Sequence, residues 1–278
     1  MEVFLSRIIV ALLIVNCNGK TERNTIKPAK LNELDLLKKP LNLYITANAV
    51  HAEVKNATIF VKGIQVQYLE TKPPFLIKHR GDLLYLHGAA FSSLIWNEGR
   101  PSILQMSAAA GYRTIAIDLP GYSQSKSIGM EPQDKVSFMT SLLRALNLTK
   151  LIIVSPSASG AYSMPFVIQH QRYLSGFVAV EACCSNGYEW ANFKVNFNTL
   201  TRFVDMKLVL KKVLGTVPTV IIYGGASAAL TANISSELKK IPENNLVIIP
   251  DAPHAVYTKK PIEFMTVLVN FMEYIHPR

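Results

Sequence analysis

The stretch LIIVSPSASG, residues 151–160, decides how this chain folds and where its chemistry sits. Its first four residues are apolar with no polar alternation, which suits a strand covered on both faces, as in a parallel sheet. Ser157 then stands just past the strand, flanked by Ser155 and Ser159, and Gly160 opens a stretch with helical character. A strand-to-helix corner of this kind has two readings. It is either a turn rich in small polar residues, or a site that holds a serine hydroxyl outward as a nucleophile, the context of a G-x-S-x-G elbow with serines in place of the glycines.

The same grammar recurs on both sides of this segment. Apolar runs of five to seven residues occur in DLLYLHG (82–88), YRTIAIDLPG (112–121), GFVAVEACC (176–184), PTVIIYGG (218–225) and NNLVIIPDAPH (244–254). Between them lie helical patterns: about Ser92 to Ala110, DKVSFMTSLLRALNL (134–148) and the closing PIEFMTVLVNFMEYI (261–275). Alternation of this type predicts one α/β domain with a mostly parallel sheet and helices on both faces. Ahead of it, NATIFVKGIQVQYLE (56–70) alternates around Lys62–Gly63 and predicts an antiparallel hairpin at one edge. Residues 186–214 lack a clear strand pattern and are expected to form a small cap. Residues 20–50, polar and lysine-rich, read as a spacer arm, which leaves 51–278 as the folded domain.

The chain is 278 residues long, 49% hydrophobic, with a net charge of +10. Its basic residues are dispersed, and the densest stretch, Lys20 to Lys39, is interrupted by Glu22, Glu33 and Asp35. Nucleic-acid binding wants a basic patch or stripe, so no nucleic-acid partner is expected. The N-terminus carries an apolar run, Ile8–Val15, after Arg7 and before Cys17, Asn18 and Gly19. It is shorter than the roughly 20 residues of a membrane span and fits a secretory leader over residues 1–19, with a short anchor as the alternative. Entry into the secretory pathway would make the sequons at Asn56, Asn147 and Asn233 glycosylation sites. Membrane association is expected only through this N-terminal segment. Cys183–Cys184 offers no disulfide framework, and no metal site or cofactor is expected.

In open parallel sheets the ligand site lies outside the carboxyl ends of the strands. The residues there are His87–Gly88–Ala89, Asp118, Ser157, Glu181, Gly225–Ser227 and His254. With Ser157 as nucleophile, an oxyanion hole takes the backbone N–H of Ala158 and one from the loop after DLLYLHG, with Ala89 as the donor and Ala90 as the fallback. His254, directly after the last apolar run, stands where the base of a Ser…acid…His order belongs. His87 belongs to the oxyanion strand and reads as structural.

LHGAAFSSLIWN, AGYRTIAIDLPGYSQSK, VSPSASGAYSMPF and PHAVYTKKP, taken together, resemble the α/β-hydrolase domain-containing protein 14 family from about residue 57 to 275, and the leader makes the chain most similar to the A form of that family. The resemblance implies an α/β-hydrolase fold, a serine nucleophile at Ser157 and a histidine base at His254. The sequence departs from the family in VIIYGGASAAL, where Gly225 and Ser227 occupy the positions at which the triad acid is expected. Glu181 is the one carboxylate placed by sequence at a neighbouring strand end. It either reaches His254 or forms a salt bridge at the surface or cap. Asp251 lies too near His254 along the chain and is expected to shape the turn. The expected function is serine acyl hydrolysis or transfer on a small ester, thioester or amide substrate, slowed by a missing or relocated acid. The alternative is a catalytically silent hydrolase fold that binds a ligand or a protein.

Overall fold

The computed structural model describes residues 30–123, 125, 132–181, 194–197, 200–203, 217–226, 239 and 241–277. Eight strands form one sheet: β1 (Val54–Val61), β2 (Ile64–Thr71), β3 (Gly81–Tyr85), β4 (Tyr112–Ile117), β5 (Leu151–Pro156), β6 (Leu174–Val180), β9 (Thr219–Gly224) and β10 (Asn244–Ile249). Their order across the sheet is β1-β2-β4-β3-β5-β6-β9-β10, and all pairs from β4 to β10 are parallel. β1 and β2 are antiparallel and close at Lys62 (φ 51) and Gly63 (φ 78). Two consecutive left-handed residues make the primed turn that matches strand twist. The expected edge hairpin is present.

The apolar runs lack alternation because each strand feeds two cores. Leu83, Tyr85, Ile152, Val154, Val178, Val180, Val220 and Ile222 join one buried cluster. Their neighbours Leu84, Leu86, Leu151, Ile153, Phe177, Ala179, Ile221 and Tyr223 join the other. On the first face pack α1 (Leu43–Ala49), α2 (Ile103–Ala109) and α6 (Pro261–Ile275), the last preceded by the short α5 (Val256–Lys259). On the second pack α3 (Pro132–Ala145) and α4 (Gly160–Gln169). Pro261 at the first turn of α6 fixes the backbone where no N–H is needed.

Two expectations change. The predicted helix from Ser92 to Ala110 is instead a 3-10 turn, Ser93–Asn97, followed by α2. Gly99 (φ 81) and Pro101 separate them, and a capping box between Ser102 and Gln105 restarts the helix. The spacer arm expected over residues 20–50 also ends early. From Leu31 the chain is part of the domain, because Leu31, Leu36, Ile45 and Ala49 are buried in the first core. Two asparagines then satisfy the carbonyls of this segment. Asn245 donates to Leu31 O and Leu34 O, both at 2.7 Å, and Asn270 donates to Leu36 O and Lys39 O. The scattered leucines of a lysine-rich stretch were its core signal.

Where a cap was expected, β7 (Lys194–Phe197) and β8 (Leu200–Phe203) form a separate antiparallel pair. The rest of residues 186–214, the leader, Cys183–Cys184, Ser227 and Asn233 lie outside the described residues. Among the described residues no helix is long and apolar enough to cross a membrane.

Candidate active site

Strand order reverses direction at β3: β4 lies on one side of it and β5 on the other. The crevice at such a switch point is where α/β sheets bind ligands, and the loops after β3 and β5 meet there. A side-chain carbon placed on Gly88 would lie 3.6 Å from Ser157 Cβ, so the oxyanion-loop candidate is directly beside the serine. Ala89 and Ala90 are exposed next to it, and Ala158 is exposed at the start of the turn after β5.

Ser157 has φ 49, a left-handed conformation unfavourable for a residue with a Cβ. Its N–H donates to Glu181 O at 3.2 Å, which helps hold the corner. The flanking serines also take part. Ser159 Oγ donates to Pro156 O at 2.7 Å, so it must accept from Ser155 Oγ at 2.8 Å, and Ser155 in turn accepts from Ser163 Oγ at 2.7 Å. All three hydroxyls are buried. Where an elbow with glycines brings strand and helix together through lack of side chains, this one links them by a chain of hydrogen bonds. Ser163, one turn into α4, was not singled out by the sequence reading; its spacing of eight from Ser155 was the available signal.

His254 Nε2 lies 3.2 Å from Ser157 Oγ. Its Nδ1 lies 3.3 Å from Glu181 Oε2, at ion-pair distance. Glu181 is 1% exposed, so the surface salt bridge weighed for it is not what the structure contains. It too is left-handed, with φ 45. Its N–H donates to Ile222 O at 2.8 Å, and its Oε1 accepts from the N–H of Gly224. The carboxylate is thus held by the end of β9, the strand at whose end the resemblance placed the triad acid. Strained conformations at two of the three residues are what a constrained functional site shows.

The loop that brings His254 into place follows β10. Asp251 takes φ 56, the turn role expected of it. Gly224 faces this loop so closely that an added Cβ would lie 2.3 Å from Ala252 O and 2.4 Å from Pro253 O. The sequence reading did not single out Gly224.

His87 is fully buried, with Nδ1 2.8 Å from Gly88 O and Nε2 accepting the N–H of Leu119 at 3.0 Å. Those partners put its proton on Nδ1, and burial lowers its pKa below the usual histidine value. It therefore stays neutral and ties the loop after β3 to the loop after β4. Asp118 does related work from the other side, accepting the Ser93 N–H at 2.7 Å. Among the described residues no group of three His, Cys, Asp or Glu side chains could hold a metal ion.

A mostly parallel eight-stranded sheet with a left-handed serine after its central strands is the architecture of an α/β-hydrolase. Solved structures agree on the fold. A CIB-like hydrolase of Thermoplasma acidophilum superposes with a TM-score of 0.62 at 21% identity, covering 80% of this chain and 98% of its own. The carboxylesterase CesB of Bacillus subtilis gives 0.57 at 16%, covering 83% and 94%. No family model matches the sequence. Among curated proteins, "Putative protein-lysine deacylase ABHD14B" of Rattus norvegicus is 31% identical over 227 residues, 80% of this chain and 98% of that protein. Protein ABHD14A of the same species is 30% identical over 214 residues, 76% and 79% of the two chains. The chain belongs to the α/β-hydrolase domain-containing protein 14 family.

Proposed function

We propose that this protein is a serine acyl hydrolase, or acyl transferase, whose triad acid has moved from the end of β9 to Glu181 at the end of β6. The observation that carries this reading is the contact sequence Ser157 Oγ, His254 Nε2, His254 Nδ1, Glu181 Oε2, with separations of 3.2 and 3.3 Å at its two junctions. Glu181 orients the imidazole with its proton on Nδ1, so that Nε2 accepts from the serine hydroxyl. The Ser157 oxygen attacks the acyl carbonyl carbon and its proton passes to Nε2. The N–H groups of Ala89 and Ala158 receive the oxyanion. As the bond to the leaving group breaks, the imidazolium returns the proton to that group. Water or another acceptor then attacks the acyl-enzyme by the same route in reverse. The name of one relative, "Putative protein-lysine deacylase ABHD14B", and that of a fold neighbour, a carboxylesterase, support an ester or amide carbonyl as the substrate class. Half-exposure of the His254 side chain, 52%, leaves the reacting atoms open to solvent among the described residues.

Treating the folded full-length chain with a fluorophosphonate probe should label the tryptic peptide containing Ser157, and Ser157→Ala should label nowhere. Absence of wild-type labelling over several hours would support the catalytically silent alternative.

We also propose entry into the secretory pathway. Asn56 is exposed on the outermost strand of the sheet, where a glycan has room. Intact-mass analysis of protein recovered from animal cells should find residues 1–19 removed near Cys17–Gly19 and a mass increment on Asn56 that peptide N-glycosidase removes. A cytosolic, unglycosylated chain starting at Met1 would overturn this.

A further inference from the structure

The amino ends of the parallel strands, opposite the Ser157 crevice, carry a cluster of apolar side chains with nothing covering it among the described residues. Between β2 and β3 the chain turns through Pro73-Pro74-Phe75-Leu76, closed by the Ile77 N–H donating to Pro74 O at 3.0 Å. Phe75 is 92% exposed and Leu76 is 87% exposed. Leu76 also has φ 74, at the turn position where glycine is strongly favoured. An exposed leucine in a glycine conformation loses stability and gains no packing, so folding does not account for it.

Its surroundings repeat the pattern. Leu43 and Tyr44, at the start of α1, are 81% and 56% exposed. Tyr44 and Leu76 wall one cavity of about 520 Å³, whose lining also includes Lys78, Arg80 and His276. Lys72 and Lys78 bracket the turn, both exposed, and among the described residues neither pairs with a carboxylate. The chain also enters the domain at this end, since Leu31 and Leu34 are bound by Asn245 at the start of β10.

We propose that this end of the domain is a membrane-facing surface, in which Phe75 and Leu76 enter the interface of a phospholipid bilayer and Lys72 and Lys78 meet the headgroup phosphates. Exposed apolar tips rimmed by lysine are the composition that seats at the headgroup–acyl boundary, and lysine stems lie along the apolar layer while the ammonium reaches phosphate. The sequence reading confined membrane contact to the N-terminal segment; this surface is a second contact within the folded domain. It is independent of the hydrolase reading but has a consequence for it. β5 spans about 20 Å, so a domain seated in this way holds Ser157 on the far side, facing water. Its substrates would then come from the aqueous phase rather than from the bilayer.

The test uses the full-length chain on phosphatidylcholine vesicles containing a minor fraction of phosphatidylinositol. In Phe75→Trp, brominated lipid should quench the added tryptophan emission, relative to wild type, by at least half. Leu94→Trp, an exposed position near the opposite end of the sheet, should show no added quenching. Adding Leu76→Gly to Phe75→Trp should reduce the quenching severalfold while leaving the melting temperature unchanged or higher, because glycine relieves the left-handed strain. Adding Lys72→Glu and Lys78→Glu should also reduce it at least fivefold. Three results would overturn the proposal: no quenching at position 75, equal quenching at 94, or shielding of position 75 without lipid in a sample that elutes as a dimer. The last would assign this face to a second copy of the chain.

Discussion

Glu181→Gln should lower the turnover of p-nitrophenyl acetate by about 10³- to 10⁴-fold while leaving the fold intact. Replacing a triad carboxylate by an amide typically costs about 10⁴ in turnover because the amide favours the wrong histidine tautomer, equivalent to about 4–5.5 kcal/mol of barrier. In this variant the amide oxygen would still accept from the Gly224 N–H, taking over the role of the Glu181 Oε1. The amide NH₂ would then face His254 Nδ1 in place of Oε2. That turns the imidazole proton toward Nε2, where it blocks acceptance of the Ser157 proton. Since the variant removes a buried charge without opening a cavity, the melting temperature should hold, and the loss would be catalytic. Turnover within threefold of wild type, with Ser157→Ala inactive in the same assay, would show that Glu181 is not the acid.

Ser227→Asp is the complementary experiment. Ser227 lies outside the described residues, in the segment where the resemblance places the triad acid. With Glu181 already 3.3 Å from His254, a second carboxylate in that region should change turnover less than threefold. A tenfold gain would mean instead that the original acid position is vacant and that Glu181 does not orient the base.

Much of this was legible from residue pattern. Uninterrupted apolar runs such as LIIV (151–154) and TVIIY (219–223) announced strands covered on both faces, and their side chains divide between the two cores. The strand-to-helix corner at Ser157 was legible from position, a serine between an apolar run and a helix. What the pattern could not supply was distance between segments far apart in sequence. Glu181 is 73 positions before His254, and only the β5-β6-β9-β10 adjacency brings their loops together. For the same reason the early folded segment was missed. Leu31 and Leu36 are buried in a core built mostly from distant segments, and their carbonyls are met by Asn245 and Asn270, more than two hundred positions away. The Ser92–Ala110 helix failed for a local reason that was visible, since Gly99 and Pro101 sit in its middle.

Gly224→Ala should lower turnover by about 100-fold, although residue 224 is not among the proposed reacting groups. The added methyl would stand 2.3 Å from Ala252 O and 2.4 Å from Pro253 O, against ordinary contacts of about 3.5 Å. Both obstacles are backbone, so no rotamer change relieves them, and β9 is fixed by pairing with β6 and β10. The loop must give way, by about 1 Å, and His254 is the next residue along it. A displacement of that size at a reacting group can cost about 10² in rate, because the Ser157 and Glu181 contacts at 3.2 and 3.3 Å have little slack. Overpacking also costs about 1–3 kcal/mol of stability, so turnover is to be measured well below the melting transition. Gly63→Ala is the control: its φ of +78 makes it strained, but no atom lies within 4 Å of the new methyl. It should lose stability and keep full turnover. Gly225→Ala, whose methyl would meet Asp251 N at 3.2 Å and Ile249 O at 3.3 Å, should fall between the two. Turnover of Gly224→Ala within twofold of wild type would mean that the His254 loop is not positioned by its close approach to the end of β9.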